Sequence, residues 1–228
     1  MKAICDLIPN TVLVLGPSGS GKDVQIDTIV RTCGFVKIGT GDMFREEYEK
    51  KTDAGIKAFS YWGEGKWVPN DLVYRVFSSW ITRFDNKKPW IFSQVVRDPG
   101  QVPLFDELLC QYGRTVEMVI HFTLSEEAAT ERMSLRRHCQ VCGKEYHLKF
   151  VPPKDGKTCD VDGEVLVRRD DDHPEAIRMR LVEYTNKVLP VTDEYKKRGI
   201  LITVDASPPI EQVWENLCNA IRGARYYV

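Results

Sequence analysis

A chain of 228 residues is long enough for one sizeable core with an appended module, and has no need of disulfides as its only staple. With 43% hydrophobic and 29% charged residues it is not a disordered, collagenous or coiled-coil chain. Thirty-two Lys plus Arg against 33 Asp plus Glu leave a formal charge of -1, so no global field recruits nucleic acid or an anionic membrane, and any bound anion must be held by a local cluster. The longest apolar runs are strand-sized, far short of the roughly 20 residues of a membrane helix. The first six residues hold one Lys and then Asp6 where a secretory leader keeps an apolar run, so a cytoplasmic protein is expected.

In chain order, the first β-rich run is Thr11 to Leu15, and it leads directly into Gly16-Pro17-Ser18-Gly19-Ser20-Gly21-Lys22, which fits G-x-x-x-x-G-K. Glycines let a backbone wrap a phosphate, a helix N-terminus offers unpaired N–H groups, and the Lys reaches the β and γ phosphates. A helix is predicted over Asp23 to Thr32, with Val24, Ile26, Ile29 and Val30 at near-helical spacing. The strand before and the helix after make this a nucleoside triphosphate site and not a chance turn, with Gly16, Ser18, Gly19, Ser20, Gly21, Lys22, Asp23 and Val24 lining it. The residue after the Lys departs from the rule: Asp23 stands where a Ser or Thr hydroxyl for Mg²⁺ is usual. A carboxylate at a helix start is favoured by the helix dipole, yet it repels a triphosphate unless a metal lies between them.

Further β-rich runs follow at Gly34 to Ile38, Pro89 to Ser93, Glu117 to Phe122 and Gly199 to Val204. A helix over Asp71 to Phe84 is marked by Leu72, Val73, Val76, Trp80 and Ile81, and another opens at His173-Pro174-Glu175 and is expected to end before Pro190. This alternation predicts a parallel five-stranded α/β sheet covered by helices on both faces. Between Arg137 and Asp172 the pattern changes to Gly, Pro, Asp and Lys punctuation, the mark of a small inserted module.

Seven cysteines divide between scattered Cys5, Cys33, Cys110 and Cys218, read as small core hydrophobes, and a tight group within the insert. Cys139-Gln140-Val141-Cys142 and Cys159-Asp160-Val161-Asp162 are two knuckles with the same internal gap, sixteen residues apart, and they fit one tetrahedral Zn²⁺ bound by Cys139, Cys142, Cys159 and Asp162. The competing redox reading of C-x-x-C expects a preceding strand of thioredoxin type, which is missing. Four protein ligands leave the metal no open position, so it would fold the insert and perform no chemistry. The four histidines form no evident catalytic set.

At this point the chain resembles the adenylate kinase family of nucleoside monophosphate kinases, in its long-lid, zinc-containing form, over nearly its whole length. Thr40-Gly41-Asp42-Met43-Phe44-Arg45 is similar to that family's T-G-D-M-L-R, which implies Thr40 on the nucleobase and Arg45 on the phosphate of the monophosphate. Gly65-Lys66-Trp67-Val68-Pro69 resembles the segment lining the same pocket, which brings in Lys66 and Val68. Arg97 and Gln101 match the end of G-F-P-R-x-x-x-Q, implying Arg97 on the monophosphate and Gln101 on adenine. Arg132 and Arg136 match the approach to the lid, one beside the triphosphate's adenine and one on its phosphates. Arg169 and Arg180 keep the family's eleven-residue spacing and would close over the transferring group. The resemblance implies a P-loop core of residues 1–38, 71–136 and 173–228, a helical monophosphate-binding insert at 39–70 and a zinc lid at 137–172. The implied reaction is reversible transfer of the γ-phosphoryl of ATP to AMP with Mg²⁺, carried by Lys22, Arg136, Arg169 and Arg180. A monomer without nucleic-acid or membrane partners is expected.

The family's D-G-F-P-R is here Ser93-Gln94-Val95-Val96-Arg97, which removes the Asp that orients Mg²⁺ and puts an amide in place of a glycine. Two explanations stand: Asp23 supplies the carboxylate lost at position 93, or function is relaxed. The alternatives to an ATP:AMP kinase are a catalytically weak nucleotide sensor or partner protein of the same fold, and a kinase for another monophosphate.

Overall fold

The computed structural model describes residues 2–62, 68–169 and 172–224. Strand β1 (Thr11–Leu15) is buried at every position, because it lies in the middle of a five-stranded sheet. It is preceded by a short helix α1 (Lys2–Cys5) and followed by α2 (Lys22–Cys33), β2 (Val36–Gly39), α3 (Thr40–Glu49), α4 (Asp53–Trp62) and α5 (Asn70–Trp80). A 3₁₀ turn (Ile81–Arg83) ends α5, and then come β3 (Trp90–Ser93), α6 (Gln101–Cys110), β4 (Met118–Thr123) and α7 (Glu126–Ser134). The insert holds β5 (Arg136–His138) and β6 (Glu145–His147), after which α8 (Pro174–Glu183), a π-helical turn (Tyr184–Val188), α9 (Leu189–Lys197), β7 (Leu201–Asp205) and α10 (Ile210–Ala224) complete the described chain.

The sheet runs β2-β3-β1-β4-β7 with every pair parallel, as the alternation of patterns predicts. The period-2 geometry of β1 sorts its residues between two cores. Leu13 and Leu15 pack with Ile38, Phe92, Phe77, Phe105 and Tyr195, under α3 to α6 and α9. Val12 and Val14 pack on the other face with Ile26, Ile29, Ile120 and Leu217, under α1, α2 and α10. The order places a topological switch at β1, and ligands of open parallel sheets sit at the carboxyl ends of the strands at such a switch. In register terms, Val14 of β1 and Gly39 of β2 both pair with Ser93 of β3, so three strand ends open on one place.

Three expectations are corrected. Gly34 and Gly199 do not begin strands: each has positive φ (74° and 71°) at a helix end, and the strands start two residues later. The helix opened at His173 does not stop before Pro190. The π turn lets the N–H of Leu189 reach back to the Tyr184 carbonyl, and Pro190, lacking an N–H, sits in the first turn of α9 where none is needed. Cys5 and Cys33 are not separate core thiols, since a disulfide joins them and fastens α1 to the end of α2, while Cys110 is exposed; only Cys218 is the buried thiol expected.

Candidate active site

The loop from Gly16 to Gly21 turns tightly between β1 and α2. Gly19 has φ +84°, and a Cβ there would lie 3.0 Å from the carbonyl oxygen of Ala129, so α7 closes one wall of the loop and admits no side chain. No side chain caps α2, whose first residue is Lys22. Ser20 Oγ is buried and lacks a hydrogen-bond partner among the described residues. An orphaned hydroxyl and an uncapped helix start are what a loop needs to receive an anion.

Lys22 is itself buried. Burial, together with the nearby charges of Arg180, Arg97 and Arg136, brings its ammonium down to about 8 against the opposing pull of Asp23. Arg97 is likewise lowered to about 10 by burial and by Arg180. Cations crowded together until they depress one another's pKa are poised for a polyanion. The lid side is ordered by Asp172, a fully buried carboxylate that takes Arg136 in a fork (2.7 and 2.6 Å) and Arg180 at 3.4 Å. Arg180 in turn donates to Ser18 Oγ of the loop at 2.9 Å, so the segment after the insert is linked to the phosphate loop.

On the other side, Arg97 donates through Nε to the Gln94 carbonyl (3.0 Å) and through Nη2 to Thr40 Oγ1 (3.3 Å). Gln101 is buried, accepts the Arg97 N–H at 2.7 Å and donates to Asn70 Oδ1 at 2.5 Å. Asp23 accepts from Ser93 Oγ at 3.1 Å and lies 3.3 Å from Lys37 Nζ and 3.9 Å from Lys22 Nζ. Burial would raise its carboxyl, but the two lysines and the Ser93 hydrogen bond outweigh this and hold it below the ordinary carboxylate range. Its charge is therefore already partly balanced by Lys37, a compensation that the sequence alone did not reveal.

In the insert, ligand atoms of Cys139, Cys142, Cys159 and Asp162 lie within 4.8 Å of one another. Cys139 Sγ is 3.2 Å from Asp162 Oδ2, and Cys142 Sγ is 3.5 Å from Cys159 Sγ. The Cys142 N–H points at Cys139 Sγ and the Val161 N–H at Cys159 Sγ, bonds that favour thiolates. A hydrogen bond with Asp162 pushes the Cys142 thiol up to about 12. The soft donor set and its closed arrangement fit Zn²⁺.

A family model described as adenylate kinase matches residues 14–200. The adenylate kinase of Archaeoglobus fulgidus is 36% identical over 206 residues, covering 90% of this chain and 95% of that protein. Those of Thermosipho melanesiensis and Carboxydothermus hydrogenoformans are each 36% identical over 211 residues, 92% of this chain and 99% of theirs. The chain belongs to the adenylate kinase family. It is a phosphotransferase, a nucleoside monophosphate kinase with the P-loop fold of that family.

Not all of the residues expected to serve an adenylate kinase are brought together here. Gly16, Ser18, Gly19, Ser20, Gly21, Lys22, Arg136 and Arg180 gather at the phosphate loop, and Thr40, Arg97 and Gln101 meet beside it. Arg132 also reaches the loop, lying 3.5 Å from the Gly19 carbonyl, but its main bonds are to the carbonyls of Ala206 and Ser207 at 2.8 Å each. Val68 packs at the edge of the larger core, and Val24 is exposed on α2. Arg45 and Arg169 are turned elsewhere, Arg45 to Asp42 at 2.5 Å and Arg169 to Glu145. Lys66 lies outside the described residues. Sequence reasoning gave no role to Asp172, one of three consecutive aspartates, because its burial and its partners Arg136 and Arg180 have no mark in the local sequence. It also gave none to Lys37, whose partner Asp23 was the only signal.

Proposed function

We propose that this chain transfers the γ-phosphoryl group of ATP reversibly to AMP, giving two ADP. The observation that carries this is the convergence of Lys22, Arg97, Arg136 and Arg180 on one loop, with Asp23 and Asp172 as the carboxylates bonded into the group. Four cations against two carboxylates leave an excess of positive charge that favours binding of an anion of several charges. Phosphoryl transfer demands little covalent chemistry from a protein, so positioned cations facing the equatorial oxygens supply most of the catalysis. Lys22 and the uncapped start of α2 take the triphosphate, while Arg97 holds the phosphate of the acceptor. Arg136 and Arg180, fixed by Asp172, neutralise charge on the group in flight. Arg45 and Arg169 join on closure of the 39–70 insert and the 137–172 lid, which exclude water from the transfer.

Mg²⁺ accompanying ATP would supply further neutralisation of the phosphate charge. Ser20 Oγ, orphaned and buried, and the Asp23 carboxylate, which reaches the place beside Ser93, are the groups that would hold it through its oxygen-rich shell. Cys139, Cys142, Cys159 and Asp162 would hold Zn²⁺, which would cross-link the lid. The test is a coupled assay of the native protein with ATP and AMP, GMP, CMP or UMP. Transfer to AMP at the highest kcat/KM is expected. A preference for another monophosphate would replace AMP in this reading, and no transfer to any of the four would sink it in favour of a nucleotide sensor.

A further inference from the structure

Among the described residues, two that are not glycine have positive φ: Lys51 at 55° and Gln94 at 49°. Lys51 follows the C-terminus of α3, where such a conformation is routine. Gln94 follows β3 at the centre of the site. The left-handed region is disfavoured for any residue with a Cβ, and it persists only where surrounding bonds impose it. Three parts of Gln94 are engaged. Its N–H continues the sheet to the Val14 carbonyl at 3.0 Å. Its carbonyl accepts from Arg97 Nε at 3.0 Å and from Thr40 Oγ1 at 3.5 Å. Its side-chain amide donates to the carbonyl of Gly16, the first residue of the phosphate loop. Gly16 has no slack of its own, since a Cβ there would meet Phe122 at 3.0 Å.

We infer that Gln94 is a positioning residue that straps the phosphate-donor loop to the acceptor side, its amide fixing Gly16 and its carbonyl fixing Arg97 and Thr40. This rests on the reading that Arg97 holds the acceptor phosphate. A glycine would meet the backbone requirement at no steric cost, but it could not reach Gly16, so the side chain is the part that the strained conformation supports. In-line transfer requires the attacking and departing oxygens to be held near contact, and a small relative shift of two otherwise intact loops slows the chemical step more than it weakens either nucleotide. Each nucleotide keeps its own contacts.

Two variants separate strap from strain. Gln94→Met keeps the length and the left-handed cost but cannot donate; Gln94→Gly removes both side chain and cost. In both, kcat with ATP and the preferred monophosphate should fall about tenfold, with each KM within about threefold of native. The thermal midpoint should stay level in the Met variant and stay level or rise in the Gly variant. Hydrogen exchange of the nucleotide-free protein gives a readout independent of transfer: the phosphate-loop peptide should exchange faster in both variants. A Met variant with kcat within twofold of native and unchanged exchange overturns the inference. So does a loss in Met that Gly restores, which would assign the effect to backbone strain. The native protein is assayed first, and if it transfers to no monophosphate the kinase reading fails, while the strap is then decided by exchange alone.

Discussion

The sheet and the lid of this molecule are held together by opposite means. Around β1, buried Leu, Ile, Val and Phe fill two clusters, one on each face of the sheet, and that apolar burial is what lets the site carry Lys22 and Arg97 out of water without unfolding. The lid has almost no such filling. Its buried hydrophobic cluster is Cys139, Tyr146 and Cys159, with Leu166 packed against them, so two of that cluster's three residues are also candidate metal ligands. The difference teaches that the sheet tolerates electrostatic stress because its stability comes from elsewhere, whereas the lid's small buried cluster consists largely of its candidate ligands.

The sharpest way to break that comparison is at Lys22. Lys22→Ala should reduce transfer by about 10²–10³-fold, the usual cost of removing a cation or donor aimed at developing charge. It should also raise the thermal midpoint of the nucleotide-free protein, because a desolvated ammonium beside Arg97, Arg136 and Arg180 is removed. Activity and melting measured on one preparation check both halves, and a lower midpoint would contradict the claim of stored repulsion. The same site predicts a pH effect. In the free protein Lys22 sits near 8, below its ordinary value of 10.5, so it is charged below that pH and loses its proton above it. ATP favours the charged form, so the dissociation constant for ATP should rise as the pH is taken from 7 through 8 to 9.5. Flat affinity over that range would rule out the depressed pKa.

A smaller but more localised effect is expected in the lid. Protein purified without added metal should carry one zinc per chain by elemental analysis, and a folded lid lacking stoichiometric zinc would overturn the assignment. Chelation, or Cys142→Ser, should make residues of the lid exchange hydrogen rapidly while β1, β3 and β4 keep native protection. Loss of protection in the sheet at the same step would mean that the two regions are not separable.

Next in size is the clip between α1 and α2. With a separation of 28 residues, the loop-entropy argument assigns the Cys5–Cys33 disulfide up to about 3.6 kcal/mol. Cys5→Ser should lower the midpoint of denaturant unfolding accordingly and leave kcat within twofold, since neither cysteine touches the site. The smallest effect is at Asp23. Asp23→Asn should raise the Mg²⁺ needed for half-maximal rate a few-fold and tighten ATP binding measured without metal. Tighter binding in the presence of Mg²⁺ as well would remove the carboxylate from any metal role and leave it as the counter-ion of Lys37.

Much of this division was legible in the sequence, for a physical reason. Strands buried on both faces write themselves as unbroken apolar runs, and a phosphate loop needs fixed spacing, so β1 and Gly16 to Lys22 stand out. Metal ligands also keep fixed spacing, which is why Cys139, Cys142, Cys159 and Asp162 could be named together. What escaped was pairing between distant positions. Cys5 and Cys33 read as singles because nothing local marks a partner, and Asp172 read as one of a charged run because its partners Arg136 and Arg180 lie 36 and 8 residues away. The turn through Tyr184 to Val188 was invisible for a related reason: Pro190 ordinarily ends a helix, and only a widened turn just before it lets the chain continue.

The molecule thus carries sulfur in two states with opposite redox demands, on the sheet and in the lid. Cys5 and Cys33 persist as drawn only while oxidised, whereas Cys139, Cys142 and Cys159 can bind metal only while reduced. A bound cation would reconcile the two, because thiolates engaged by zinc are poor partners for exchange. A strong reductant would open the clip and spare the knuckles. A chelator in air would do the reverse, leaving Cys142 and Cys159, already 3.5 Å apart, free to couple. The choice between those two reagents therefore selects which of the two links is lost.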